Sequence, residues 1–427
     1  MTLEGLHSKF HGWSRRMRRT MGIVAVVVAV TTGAVALGFT REQGTPEGTP
    51  PLQKYHITPG DLPVPTGGVA NPPEVVDKPA GAELRVPPGF SIDVFADGTG
   101  FQTLRNLIEA PNGDLFAADF TANTITLLRD TNNDGKVDER KVMASGLSGP
   151  FGMAISNGYF YVGNTGSVVR WKFAPGDTTL TGTPEKIATL PSGGGHVTRS
   201  LAFSEDGSKL YVTIGSASNV DVEQGRALIR VMGPDGTGDR VFASGLRNPV
   251  GLAIRPGTDE VWAGVHERDM LGDDLVPDYV TRVQDGGFYG WPYAYIGPNE
   301  DPRRKGEQPD LVKKAIVPDV LLQSHSAPMG LAFYTGSQFP ADYRTDAFLA
   351  LHGSWNRKNR TGYKVVRIIV RDGKPTGEYE DFVVGWSLGE GQSKVWGRPV
   401  AIVVRKDGSM LITDDAHNVI WRVTYKS

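Results

Sequence analysis

Residues 201–213 read LAFSEDGSKLYVT. A short apolar run, Leu201 to Phe203, meets Asp206-Gly207 and gives way to a second β-like run from Leu210. Asp-Gly between two apolar runs marks a hairpin, because the pair tolerates the positive φ of tight turns. The same figure recurs along the chain. Its other copies are LIEAPNGDLFAAD from Leu107, MAISNGYFYVGN from Met153, LAIRPGTDEVWAG from Leu252, LAFYTG from Leu331 and IVVRKDGSMLITDD from Ile402. Successive copies lie 46, 48, 51, 79 and 71 residues apart. Self-similarity at about 45–50 residues, built from strands and tight turns, predicts an all-β chain folded as a β-propeller with four strands per blade. Six copies predict a six-bladed β-propeller.

The body of the repeats occupies residues 86–427. SIDVFADG from Ser91 and NVIWRVTY from Asn418 read as strands near its two ends, available to close the ring. The two long intervals hold insertions, one of them Asp278 to Leu322, and such loops tend to cover one face and carry function. Residues 41–85 are rich in Pro, Gly and Thr without apolar periodicity, and are expected to be a poorly ordered tether. Before them, Lys9, Arg15, Arg16, Arg18 and Arg19 precede an uncharged stretch from Met21 to Thr40. At about 20 residues this stretch is long enough to span a bilayer. Ala34-Val35-Ala36 equally allows a cleaved signal peptide. Residues 1–40 are therefore a signal peptide or membrane anchor, which places the body outside the cytoplasm and leaves this segment as its membrane contact.

The chain has no cysteine, so disulfides, thiolate metal sites and thiol nucleophiles are excluded. Without residues 1–40 the chain carries 40 Lys and Arg against 46 Asp and Glu. This mildly acidic body gives no electrostatic case for nucleic-acid binding.

In a propeller the innermost strands converge on one axis, so residues at the same end of each strand form one site. Ahead of the six repeats stand Arg105-Asn106, Gly149 to Gly152, His196 with Arg199, Arg247-Asn248, His325 and Arg398. Five of these six clusters carry Arg or His. A pocket lined by Arg105, Arg199, Arg247 and Arg398 invites an anionic ligand, since guanidinium forks match carboxylate geometry. A neutral His196 or His325 beside them is suited to act as a base. For any single arginine the plainer reading is a solvated or ion-paired strand end; recurrence at equivalent positions favours a site.

Several segments make the chain recognisable: GGGHVTRSLAF from Gly193, SGLRNPVGLAI from Ser244, LGDDL from Leu271 followed by GGFYGWP, HSAPMGLAFY from His325, LHGSWNR from Leu351 and VWGRPV from Val395. In this order and spacing, over roughly residues 86–425, the chain resembles the soluble quinoprotein sugar dehydrogenases. This is the glucose/sorbosone dehydrogenase family that uses pyrroloquinoline quinone (PQQ), and the sorbosone-type branch is the most similar. The resemblance implies PQQ on the propeller axis with Ca²⁺ beside it, and a small sugar or aldehyde substrate. It implies that His196 takes the C1 hydroxyl proton, that Arg247 and Asn248 lie beside the quinone, and that Arg398 holds a PQQ carboxylate.

Two segments bear on metals. Where the family often carries a Gly-Pro before an acidic pair, this chain has Glu267-Arg268-Asp269 and then Asp273-Asp274. Backbone carbonyls and these carboxylates are the expected Ca²⁺ ligands. Asp130 to Asp138 begins like a Ca²⁺ loop but lacks its final Glu; a plain Asp-Gly hairpin is the other reading. In LHGSWNR, Trp355, Asn356 and Arg357 are either pocket contacts for sugar and cofactor or part of a solvated hairpin. The main alternatives to a dehydrogenase are a Ca²⁺-dependent lactonase, which needs metal-binding carboxylates and Asn on the axis, and a non-catalytic binding propeller.

Overall fold

The innermost strands of six sheets are Leu104–Glu109, Met153–Ser156, Leu201–Phe203, Asn248–Ile254, Pro328–Phe333 and Pro399–Val404. Each repeat read from the sequence contributes one of them. The structure is a computed structural model describing residues 52–389 and 391–426, and the expected signal or anchor, residues 1–40, lies outside the described residues. Each blade is an antiparallel sheet in which strands follow chain order outward from the axis, and successive innermost strands pack into a closed ring. The second strands are covered on both faces by neighbouring blades. They therefore read as continuous apolar runs, such as Leu210–Ile214 and Ala347–Leu351, buried at every position. The innermost strands approach one another closely: a Cβ at Gly330 would stand 2.6 Å from the Val400 carbonyl of the next blade.

The sixth blade closes the ring as expected. Its outermost strand is Phe90–Ala96, paired antiparallel with Val419–Tyr425. Phe90 seals this join, with its ring 4.8 Å from Phe339 and 5.1 Å from Phe382, edge to face in both cases. Blade 4 carries the insertion between its third strand, Tyr279–Val283, and its fourth, Val320–Leu321. The insertion buries Tyr289, Tyr295 and Ile296 against the blade core. It packs on the flank of blades 3 and 4, with Trp291 Nε1 donating to Asn219 O, and lines none of the axial cavity described below.

The reading of residues 41–85 as a poorly ordered tether also fails over its described part, residues 52–85. Lys54–His56 adds a fifth strand to blade 5, against Glu378 to Glu380. Leu62 packs against the core of blade 4. Glu74–Val75 pairs in parallel with Lys394–Val395. Between these anchors the chain crosses the loops of one end of the propeller: Thr66 N donates to Leu271 O, Asn71 N to Trp355 O, and His417 Nε2 to Val76 O. Proline-rich chain lacks hydrogen bonds of its own, and here the body supplies them.

Candidate active site

In an antiparallel pair the start of the innermost strand lies beside the end of the second strand. Asn248 faces His266, Pro328 faces Leu351, and Pro399 faces Asp414. Residues ahead of each repeat thus share one mouth with residues that end each second strand. A cavity of about 300 Å³ opens there, lined by Thr103, Arg105, Phe120, Gly195 to Thr198, Asn248, His266 and His352; Val250 and Met329 add apolar wall. A larger groove of about 590 Å³ runs beside Tyr55 on the outer edge of blade 5. Its Arg367 is already paired with Asp346 and Glu380, so it offers no comparable chemistry.

His196 lines the cavity on a loop whose glycines permit its path. A side chain at Gly194, with φ +79°, would meet the Ala217 backbone. Any side chain at Gly215 would overlap both Asn248 Oδ1 and the His196 Cβ, so glycine lets these two groups adjoin. His196 Nδ1 lies 2.8 Å from the Ser216 carbonyl. A carbonyl only accepts, so Nδ1 carries the hydrogen and Nε2 holds the free lone pair. Burial, followed by the charge of Arg247, pushes the His196 pKa down to about 4, so the ring is neutral at ordinary pH.

The other two cavity histidines are committed. His266 Nε2 donates to Pro328 O at 2.8 Å, and its Nδ1 accepts from Asn248 Nδ2 at 3.3 Å. His352 Nε2 donates to Asp415 Oδ1 at 2.9 Å, and its Nδ1 accepts from Arg398 at 3.0 Å. Burial pushes the His352 pKa to about 4, while Asp415 is held well below the usual carboxylate range by His352 and Arg105 against the pull of burial. Arg105 pairs with the other Asp415 oxygen. This cluster holds two guanidiniums against Asp415, with a second carboxyl, Asp414, accepting from the Arg398 backbone N–H and its pKa pushed up to about 6 by burial.

The remaining expected site residues divide. Arg247 is buried and tied to Glu267 O at 2.6 Å and Asp269 Oδ2 at 2.7 Å, so its charge is matched within the protein. Arg199 is wholly buried beneath the His196 loop, lines none of the cavity, and keeps its Nε without a partner. Its other donors go to the carbonyls of Pro191, His196 and Thr198, which makes it a brace rather than a ligand contact. His325 is likewise a brace, donating from Nε2 to Gly272 O and accepting from Asn356 at Nδ1. Arg357 spends its charge on Asp274 and its NH1 on Asp273 O.

The side chains of the expected Ca²⁺ set are held by internal partners. Arg268 occupies the centre of a dry cage, held by Glu267 and Asp301 at 3.0 and 2.9 Å with all three side chains fully buried. Asp269 serves Arg247 and Asn356; Asp274 serves Arg357, and Asp273 accepts from the Lys358 N–H. Among the described residues no three His, Cys, Asp or Glu side chains converge as a metal site. Arg268, Arg247 and Arg357 take the carboxylates of Glu267, Asp269 and Asp274, Asp273 accepts a backbone N–H, and Arg268 was expected to serve a metal only through its backbone carbonyl.

Buried polar atoms without partners gather at this mouth: Arg247 Nε, Arg398 Nε, Asn248 Oδ1 and Asn356 Oδ1. Such orphans are costly unless a ligand satisfies them.

An uncharacterised protein of Borreliella burgdorferi is 29% identical over 359 residues, covering 80% of this chain and 91% of that protein. A pyrroloquinoline quinone-dependent pyranose dehydrogenase of Coprinopsis cinerea is 26% identical over 306 residues, which cover 57% of this chain and 41% of the enzyme. This chain therefore aligns with less than half of that enzyme's length. The solved holo PQQ domain of a Coprinopsis cinerea pyranose dehydrogenase superposes with a TM-score of 0.68 at 21% identity, covering 80% of this chain and 97% of that domain, and so shares the fold. A family profile described as TrAA12-like matches residues 84–278 and 302–426. The chain belongs to the TrAA12-like family.

Proposed function

We propose that this protein is a PQQ-dependent dehydrogenase that oxidises an aldose, sorbosone or a related aldehyde hydrate at the axial cavity. The observation that carries the reading is His196, a neutral imidazole with Nε2 free, in a cavity lined also by Arg105 and by His352, which Arg398 contacts. The description of the Coprinopsis relative as PQQ-dependent supports it. The donor set suits a tricarboxylate: Arg398 and Arg247 each keep a buried N–H without an acceptor. Arg398, whose side chain has no carboxylate partner of its own, is assigned to a cofactor carboxylate, with Arg105 beside it.

When bound, PQQ supplies a quinone carbon that accepts a hydride. The substrate hydroxyl sits against His196 Nε2, which takes its proton as the hydride leaves C1. Loss of hydride gives the oxygen the acidity of a protonated carbonyl, so a base with a pKa near 4 suffices. The Ser216 carbonyl fixes the productive tautomer. Asn248, held by His266, presents an unpartnered Oδ1 beside the base for a second substrate hydroxyl. The basic and apolar N-terminal segment supports the further proposal that the domain works outside the cytoplasm, anchored or released by cleavage. No observation favours the lactonase, because its metal-binding carboxylates do not gather on the axis among the described residues.

The test is a dye-linked assay after PQQ reconstitution, across aldoses, sorbosone and simple aldehydes. Turnover is expected with at least one reducing sugar or aldehyde. His196→Ala is expected to lower kcat by about 10²- to 10⁴-fold while PQQ still binds. Equal turnover in that variant would return His196 to a structural role. Silence across the whole panel would favour a non-catalytic binding propeller.

A further inference from the structure

Arg360 is buried on the loop between the second and third strands of blade 5, and among the described residues no carboxylate is its partner. Burying an uncompensated guanidinium is costly unless its donors are all used. Here they are used on neutral oxygens: Gln392 O, Ser354 O, Asn71 O, Asn71 Oδ1 and Pro72 O, at 2.7 to 3.2 Å. Three of the five belong to Asn71 and Pro72, on the segment that crosses the mouth. Asn71 answers through Nδ2, which donates to Arg357 O at 2.8 Å and Lys358 O at 3.1 Å, and through its backbone N–H to Trp355 O. Five residues earlier, Thr66 N donates to Leu271 O on the blade 4 loop, and Gly68 packs directly on the Met270 backbone, where a side chain would not fit.

The same two loops meet beneath this segment at Asn356. Its Nδ2 donates to Asp269 Oδ1 at 2.9 Å, and Asp269 Oδ2 accepts from Arg247 at 2.7 Å. Arg247 is the cation acting on His196, and Ser216 links the two, its carbonyl accepting from His196 Nδ1 and its N–H donating to Arg247 O. The other charged influences on His196 are Asp269 and Glu223, and its titratable neighbour is His266. The segment lies outside the matched family profile, which begins at residue 84.

We infer that residues 62–76 are a positioning strap for the active site: the Asn71–Arg360 clasp holds the Trp355 to Arg360 loop, so that Asn356 fixes Asp269 and, through it, the Arg247 charge beside His196. Asn71 and Arg360 are positioning residues; neither touches the cavity. The inference rests on the proposed function only for what His196 does, and its first test needs no cofactor.

Backbone hydrogen exchange is measured on the purified full chain without PQQ, for wild type, Asn71→Ala, Arg360→Ala, Arg360→Lys, Asn356→Ala and the Arg360→Ala/Asn356→Ala pair. Loss of the clasp is expected to speed exchange about tenfold or more at the blade 5 loop and also at residues 268–272, with the strands of blades 1 to 3 unchanged. Arg360→Lys, with fewer donors, falls between. Asn356→Ala alone speeds exchange at Arg268 and Asp269, and adding Arg360→Ala changes those two no further. A strap that merely covers the surface would loosen residues 62–76 and the Met270-Leu271 backbone it touches directly, and leave Arg268 and Asp269 at the wild-type rate, which would overturn the inference. So would additive effects in the double variant. In the reconstituted enzyme, Arg360→Lys should recover part of the turnover lost in Arg360→Ala. If no variant of the chain turns over, the dehydrogenase reading fails while the exchange result still decides the strap.

Discussion

Blades 1 to 3 and blades 4 to 6 bring the same strand pattern to one mouth and use it differently. The first half leaves its loops open to the cavity: Thr103, Phe120 and the His196 loop form the accessible side. The second half turns its loops on one another and on the strap, through Arg247–Asp269, Arg268–Asp301, Arg357–Asp274 and the Asn71–Arg360 clasp. The difference teaches where charge stands in a buried site. A guanidinium wrapped by internal carboxylates or carbonyls, as Arg268 and Arg360 are, positions neighbours; Arg398, whose side chain meets only His352 among the described residues, remains for a ligand.

Removal of Arg268 is the severest test of the braced half. Arg268→Ala leaves Glu267 buried without a cation and Asp301 with Arg303 alone, an expected loss of about 3–5 kcal/mol in urea-unfolding free energy. A loss below about 1 kcal/mol would mean the cage is not dry and the contrast between halves is overstated.

A smaller effect separates the halves by pH. His196 must be neutral to accept a proton, so kcat/KM falls as pH drops through its pKa, about 4 in the wild type. Burial is the larger cause of that depression and Arg247 the next, whereas Asp269 acts in the opposite direction. Arg247→Gln removes the cation and leaves Asp269 unmatched, so both changes raise the pKa toward the ordinary value of about 6.5. At saturating PQQ the acid limb of the variant should move to higher pH. An unmoved limb would show that Arg247 does not act on the base.

Much of this was legible in the repeats. Leu201, Met153 and Pro399 begin or enter innermost strands because turn dipeptides and apolar runs are local signals. Closure by Phe90–Ala96 followed from one unmatched strand at each end. His196, Arg105, Arg247, Asn248 and Arg398 were found by reading what precedes each repeat. His266, His352 and Asp415 were missed because they end second strands, or follow them directly, and antiparallel pairing brings those ends to the same mouth. Reading both ends of each hairpin would have found them. Arg199 misled because an arginine at the right repeat position can still turn inward to backbone carbonyls. The strap misled because proline and glycine report that a segment cannot order itself, not that the body leaves it unbound. The Glu267 to Asp274 run misled because Asp301, which shares Arg268, comes from an insertion 33 residues further along the chain.

The central claim is that the cavity receives a carboxylate-bearing quinone against Arg398. An equilibrium titration of PQQ into wild type, Arg398→Ala and Arg398→Lys, followed by visible absorption, tests it most directly. Wild type should saturate. Loss of one charge-assisted contact, about 1.5–3 kcal/mol, should weaken Arg398→Ala by about 10- to 150-fold. Arg398→Lys should fall between, since it keeps the charge and loses the planar fork. No binding by the wild type, or one affinity shared by all three proteins, would contradict the account.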